Sequence, residues 1–310
     1  MKRVLITGGA GFIGVHLADH LTQSGGYEVT VFDNESLGHR GNVDNDEVRF
    51  VSGDLRSRAD LRSALEGQDA VVHLAADTRV MDSIDDPAHN FENNVIGTFN
   101  LLEECRDLGV DRIVAASTGG AIVGDVAPPV HERMAPQPTS PYGASKLMLE
   151  GYLSAYSGAY GMRGCALRFS NIYGPRSFHK GSVVAHFFKQ ILSGEPLVVY
   201  GDGSQARDFL YVGDLVEGIR VAIDGGSVGA FQLGSGKPTT VNELLELIRS
   251  ATGRDFDVQY EDFRAGEVVQ TWCEIDKARR AFGFDPTTSL DDGLGRTWEW
   301  FLAQGGGPSQ

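Results

Sequence analysis

Short β-branched runs alternate with longer amphipathic stretches through the first half of this chain, and that alternation restricts the fold more than any other feature. Val4-Leu5-Ile6 reads as a buried strand and Phe12 to Leu21 as a helix. Glu28 to Phe32, Val48 to Ser52 and Ala70 to Leu74 read as further strands, and Arg58 to Leu65 repeats apolar residues at helical spacing. A long helix is expected over Pro87 to Leu108, a fifth strand over Arg112 to Ala116, a helix from Pro141 to about Tyr160, and a sixth strand over Cys165 to Phe169. Such alternation demands parallel strands joined by right-handed crossovers. Strands with no polar face fit a sheet covered on both sides. The expected fold class is therefore α/β, a doubly wound parallel sheet of Rossmann-like type.

After Phe169 the rhythm loosens. Gly174-Pro175, Gly201-Asp202-Gly203 and Gly234-Ser235-Gly236 punctuate shorter elements, with helices near Val183–Leu192, Val241–Thr252 and Leu290–Leu302. Residues 1–170 are read as the first lobe and 171–310 mainly as a second, smaller α/β lobe. A stretch of about 210–232, including a helix at Asp214–Ile223, is expected to return to the first lobe. Gln304 to Gln310 read as a loose tail.

Composition narrows the classes of ligand. With 27 Lys+Arg against 42 Asp+Glu the formal charge is −15, which argues against nucleic acid and against anionic membrane as partners. A small anion held by a few local cations stays open. Cys105, Cys165 and Cys273 are odd in number and far apart, so neither a disulfide framework nor a metal spacing can be built from them, and no metal is expected. They point to a reducing cytoplasm. Gly8 and Gly9 break the first apolar run too early for a signal peptide, and no stretch reaches a membrane-spanning length.

Thr7-Gly8-Gly9-Ala10-Gly11-Phe12-Ile13-Gly14 follows the first strand and opens the first helix. Gly8, Gly11 and Gly14 suit a tight turn, close approach of a diphosphate, and packing of helix on strand; the helix N-terminus then offers its N–H groups to that anion. Asp33 ends the second strand, placed to accept hydrogen bonds from ribose hydroxyls and to repel a 2′-phosphate, which favours NAD over NADP.

In Ser140-Pro141-Tyr142-Gly143-Ala144-Ser145-Lys146, Tyr142 and Lys146 lie four apart at a helix start and so share a face. A free phenol titrates near 10 and is a poor base at neutral pH. A nearby ammonium and a cationic nicotinamide are expected to lower that value. Thr118, after the fifth strand, is a candidate hydroxyl donor to the reacting oxygen, with Ser117 as its rival.

Together these residues resemble the extended short-chain dehydrogenase/reductase superfamily, in its NAD-dependent nucleotide-sugar epimerase/dehydratase branch, over nearly the whole chain. The resemblance implies a catalytic set of Thr118, Tyr142 and Lys146 and an NAD site. In that site it implies Gly8, Gly11, Phe12, Ile13 and Gly14 at the phosphates, Asp33 and Asn34 at the adenosine ribose, and Asp54 and Leu55 at the adenine. Leu74, Ala75, Ala76, Asn94 and Ser117, with Tyr142 and Lys146, complete it. For a nucleotide-sugar diphosphate it implies Asn171, Arg207 and Arg264, the last paired with Glu267. Ser182, Val183, Val199, Tyr200 and Thr118 join the implied substrate set. Thr271 is similar to the family's sugar-pocket gatekeeper, often tyrosine, and a smaller side chain there leaves room for an N-acetyl group.

Departures from the pattern choose between reactions. Dehydratases and decarboxylases of the branch carry an acid just after the triad hydroxyl, whereas Gly119, Gly120 and Ala121 stand here. The expectation is an NAD-dependent UDP-sugar 4-epimerase acting on UDP-glucose and UDP-galactose, with room for the N-acetyl forms. UDP-glucuronate 4-epimerase is the runner-up, because Arg176 is a candidate partner for a C6 carboxylate. A dehydratase or decarboxylase ranks lower, and a non-catalytic NAD-binding sensor lowest. The resemblance further implies a homodimer paired through the Pro87–Leu108 and Pro141–Tyr160 helices.

Overall fold

The structure, a computed structural model, describes residues 1–263 and 269–304. Six strands appear in the expected order: β1 (Lys2–Thr7), β2 (Tyr27–Asp33), β3 (Arg49–Ser52), β4 (Ala70–His73), β5 (Arg112–Thr118) and β6 (Arg163–Phe169). Among them lie α1 (Phe12–Ser24), α2 (Arg58–Leu65), α3 (Val80–Asp85), α4 (Pro87–Asn90), α5 (Gly97–Leu108) and α6 (Pro141–Tyr160). The remainder supplies β7 (Asn171–Tyr173), α7 (Val183–Ser193), β8 (Leu197–Tyr200), β9 (Ala206–Arg207), β10 (Phe209–Tyr211), α8 (Val212–Gly225) and β11 (Gly229–Leu233). It closes with β12 (Thr239–Thr240), α9 (Val241–Thr252), β13 (Val258–Glu261), β14 (Gln270–Thr271), α10 (Asp276–Phe282) and α11 (Leu290–Ala303).

Alternate side chains of each central strand enter different layers, and both layers are apolar. Val4, Ile6, Val72 and Leu167 join α1 and α8 on one face, while Leu5, Val71 and Ala166 join α2, α5 and α6 on the other. A continuous apolar run thus becomes the middle of a three-layer sandwich. The main sheet is parallel throughout, in the order β11-β6-β5-β4-β1-β2-β3. Because β4 follows β3 in the chain yet pairs with β1, the winding reverses there. A crevice opens at the carboxyl ends of β1 and β4, where the glycine loop lies.

Three findings adjust the sequence reading. The expected Pro87–Leu108 helix is α4 and α5 joined by a π-helical stretch, Phe91–Ile96. Helix α3 was not anticipated, since six residues are too few to show a period. Beyond the 210–232 stretch expected to return, Cys273, Ile275, Ala278 and Phe284 also pack into the same core as Val31 and Phe231. The second lobe has its own core, where Phe187, Phe188, Leu197, Leu244, Trp298 and Phe301 close α7, α9 and α11 together.

Candidate functional site

The glycine loop is shaped by contacts that exclude side chains. A Cβ on Gly8 (φ +68°) would fall 2.6 Å from the Ala75 nitrogen, and one on Gly14 2.5 Å from the Gly9 Cα. Gly11 has more room and serves as N-cap of α1 without any side-chain cap. The N–H groups of Phe12, Ile13 and Gly14 therefore lead the helix with no acceptor inside it, a cradle that fits a diphosphate. Asp33 is buried beside them. Its oxygens each accept one backbone N–H, from Ala10 at 3.0 Å and Glu35 at 2.8 Å, which leaves lone pairs for hydroxyl donors. Asn34 donates to Asp54 at 3.3 Å, and hydrogen bonds from Arg56 hold the Asp54 carboxyl down at about 2.

His73 ties the two strand ends of the crevice. Its Nδ1 lies 2.7 Å from the Thr7 hydroxyl and its Nε2 3.0 Å from that of Thr98. Burial, with a smaller effect of the Lys146 charge, pushes its pKa to about 3, so the ring is neutral. Leu74, Ala75 and Ala76 follow it into the crevice. Asn94 is turned inward by the π-helical stretch, where it accepts from the Asp77 N–H at 2.8 Å and donates to the Asp77 carbonyl oxygen at 2.9 Å. Its amide thus clamps the segment carrying Ala75 and Ala76, with a further bond to the Ser145 hydroxyl at 3.3 Å.

Helix α6 starts where the sequence requires. Ser140 caps it by accepting from the Gly143 N–H at 3.1 Å, and Pro141 occupies the first helical position. The unanticipated α3 holds this start in place, because Ser83 accepts from the Tyr142 N–H at 3.2 Å. Lys146 sits one turn on, its Nζ donating to the Ala116 carbonyl oxygen at 3.0 Å and lying 5.9 Å from the Tyr142 ring centroid.

Burial raises the Tyr142 phenol to about 12, against a smaller lowering by a hydrogen bond from Thr118. Burial also brings Lys146 down to about 8. Within the chain itself desolvation of the phenol sets the direction, and the Lys146 ammonium stands 5.9 Å from its ring centroid.

The two candidate hydroxyls separate cleanly. Ser117 is buried and donates to Glu150 Oε1 at 2.6 Å, beneath the bidentate pair that Arg168 makes with the same carboxylate at 2.8 Å. Its hydroxyl faces away from the crevice, so only its backbone is left for the cofactor role assigned to it. Thr118 opens instead onto a cavity of about 360 Å³, whose wall also includes Gly119, Gly120, Ala121, Asn171, Arg207 and Thr271. A Cβ on Gly120 would lie 3.4 Å from the Thr271 hydroxyl, so the bare and the short residue face one another.

Other candidates fall elsewhere. Ser182, Val183, Val199 and Tyr200 do not line this cavity. Ser182 is the N-cap of α7, with its hydroxyl buried and unbonded. Val199 is 2% exposed in the second-lobe core, which leaves a ligand only its backbone. Arg264 and Glu267 lie outside the described residues. Arg176 is not among the residues lining the cavity; it sits at φ +59° and pairs with Asp19 of α1 at 2.9 Å.

One residue was missed. Asp208 also lines the cavity but is 1% exposed, accepting from the Ser235 N–H and hydroxyl at 2.7 and 2.8 Å and the Gly236 N–H at 3.1 Å. The Cys273 thiol donates to it at 3.2 Å, and burial next to this carboxylate keeps the thiol protonated. An Asp beside Arg207 in a Gly-rich stretch gave no periodic signal.

Residues 4–234 match the family described as "NAD dependent epimerase/dehydratase family". The UDP-glucose 4-epimerase of Thermotoga maritima, solved with UDP-glucose, is 37% identical with a TM-score of 0.93, covering 98% of this chain and 99% of that one. That of Thermus thermophilus, solved with NAD, is 38% identical with a TM-score of 0.90, over 97% and 99%. A UDP-N-acetylglucosamine 4-epimerase of Methanobrevibacter ruminantium, in complex with UDP-N-acetylmuramic acid, is 33% identical with a TM-score of 0.93, over 98% and 99%. A match running unbroken from the glycine loop past Arg207, and likeness at this level across both lobes, make the chain a member of the NAD-dependent epimerase/dehydratase family.

Proposed function

We propose that this protein is an NAD-dependent UDP-sugar 4-epimerase that interconverts UDP-glucose and UDP-galactose, with space for the N-acetyl forms. The observation that carries this reading is the pairing of Thr118 and Tyr142 beside a wall whose one carboxylate, among the described residues, is already engaged. Gly119, Gly120 and Ala121 follow Thr118, and Asp208, the carboxylate among the described residues lining the cavity, is held by Ser235, Gly236 and Cys273. Among the described residues, general acid–base work at carbon has no free carboxylate in this wall to perform it. Reversible oxidation of an alcohol needs only the tyrosine.

Bound NAD supplies two-electron oxidation of the sugar at C4′ and its reversal. Tyr142, as phenolate, takes the proton of the 4′-hydroxyl and returns it once the opposite ring face has been presented. Lys146 supports the phenolate, and Thr118 donates to the reacting oxygen. Gly120 and Thr271 leave the ring space to turn, and an N-acetyl group space to lodge. Arg207 and Asn171 are the proposed partners of the UDP diphosphate, as cation and amide donor. Arg264 and Glu267 are proposed beside them on resemblance alone.

The three cysteines are free and buried, which supports a cytoplasmic setting. Exposed Phe91, Ile96, Tyr152 and Tyr160, on or beside α5 and α6, support a homodimer paired through these helices. The deciding test is heat release of bound dinucleotide followed by turnover of a panel of UDP-sugars, read by NMR as axial against equatorial C4. Exchange of glucose and galactose forms is expected, with Tyr142→Phe losing turnover at unchanged NAD content. Turnover of UDP-glucuronate alone, or loss of water or CO₂, overturns the reading.

A further inference from the structure

Three groups able to carry positive charge meet where the segment 175–180 crosses α1. His16 spends its Nε2 on the Pro175 carbonyl oxygen at 2.9 Å, and burial lowers its pKa, leaving it neutral. Arg176 is matched by Asp19. Lys180 is different. Its Nζ donates to the Ile172 carbonyl oxygen at 2.9 Å and lies 4.9 Å from the centroid of the Phe12 ring. Among the described residues no carboxylate pairs with it. Burial pulls this ammonium down to about 8, as happens to a cation stripped of water with no counter-charge at hand.

Phe12 is the first residue of α1, the helix whose glycine N-cap leaves its leading N–H groups uncapped. Resting on the NAD reading above, we propose that Lys180 is a diphosphate-binding residue of the dinucleotide site, giving the glycine loop the full positive charge that its backbone lacks. The loop alone offers dipoles, equivalent to about half an elementary charge at the helix end, to a group carrying two negative charges. The bond to Ile172 fixes the ammonium and leaves two of its three N–H bonds to donate. The face of Phe12, the first residue of that helix, lies 4.9 Å from the ammonium and keeps it beside the helix start.

Affinity of the cofactor-stripped protein for NAD⁺, ADP-ribose, adenosine and UDP, measured by calorimetry, tests this without any turnover. Lys180→Met should weaken NAD⁺ and ADP-ribose by the same factor, about 10- to 100-fold, the range for one hydrogen bond to a charged group. Adenosine and UDP should be unaffected, and Lys180→Arg should recover most of the loss. Lys180→Gln serves the same purpose if the methionine variant folds poorly. Unchanged NAD⁺ affinity, an equal loss for adenosine, or a loss confined to UDP overturns the inference. A wild-type protein that binds no NAD⁺ overturns it together with the proposed function, whereas normal NAD⁺ binding in Lys180→Met overturns it alone.

Discussion

Ser117 and Thr118 are neighbours at the end of β5 and, as strand residues must, they face opposite sides. The difference assigns their consequences. Thr118→Val should lower kcat by about 10²-fold, in the range of lost proton-handling and oxyanion contacts, while melting as wild type. Ser117→Ala should leave kcat within a few-fold and cost about 1 kcal/mol of stability, because one acceptor position on Glu150 loses its donor. Steady-state assay beside thermal unfolding separates the two. Lys146 carries a pH prediction. With Tyr142 proposed to act as phenolate, activity rises with pH below its pKa, and removing a neighbouring cation raises that pKa. In Lys146→Met the rising limb of the kcat profile should therefore move to higher pH, by about one unit or more.

Among the elements, β4 and α5 are joined by the neutral imidazole of His73. An unfolded chain takes up a proton there as pH falls through 6.5, and the folded one does not until about 3. The stability contributed by His73 is intact above 6.5 and lost progressively below, at about 1.4 kcal/mol per pH unit for one proton. Denaturant unfolding between pH 6.5 and 4 should show a slope shallower by that amount in His73→Gln. How far such elements can be read from the sequence depends on their length. The apolar period placed α9 at its observed bounds and α1 within a turn, and the glycine and Tyr–Lys spacings brought the cofactor crevice and α6 into view. Helix α3, whose Ser83 secures α6, is six residues long and carries no period. The inward turn of Asn94 depends on the π-helical stretch, which no local propensity distinguishes from an α-helix. Asp208 and Lys180 derive their surroundings from residues distant in sequence, so tertiary placement alone reveals them.

Over the molecule as a whole, apolar residues exposed along the outer layer set the expected assembly. Light scattering should return twice the chain mass, and Ile96→Asp should return the single-chain mass with the main sheet intact by circular dichroism. Between the lobes the backbone passes repeatedly: β6 runs into β7, β10 into α8, β11 back toward β12, and Thr271 to the Cys273 and Ile275 of the first-lobe core. β11 completes the main sheet from deep in the second half of the chain, so a fragment stopped at residue 170 would leave β6 as a naked edge, prone to pair with other chains. For protein engineering this means that sugar preference is no detachable module. A second lobe grafted from a relative must match the recipient at every one of these crossings, and single replacements along the cavity wall, at Gly120 and Thr271, offer the shorter route.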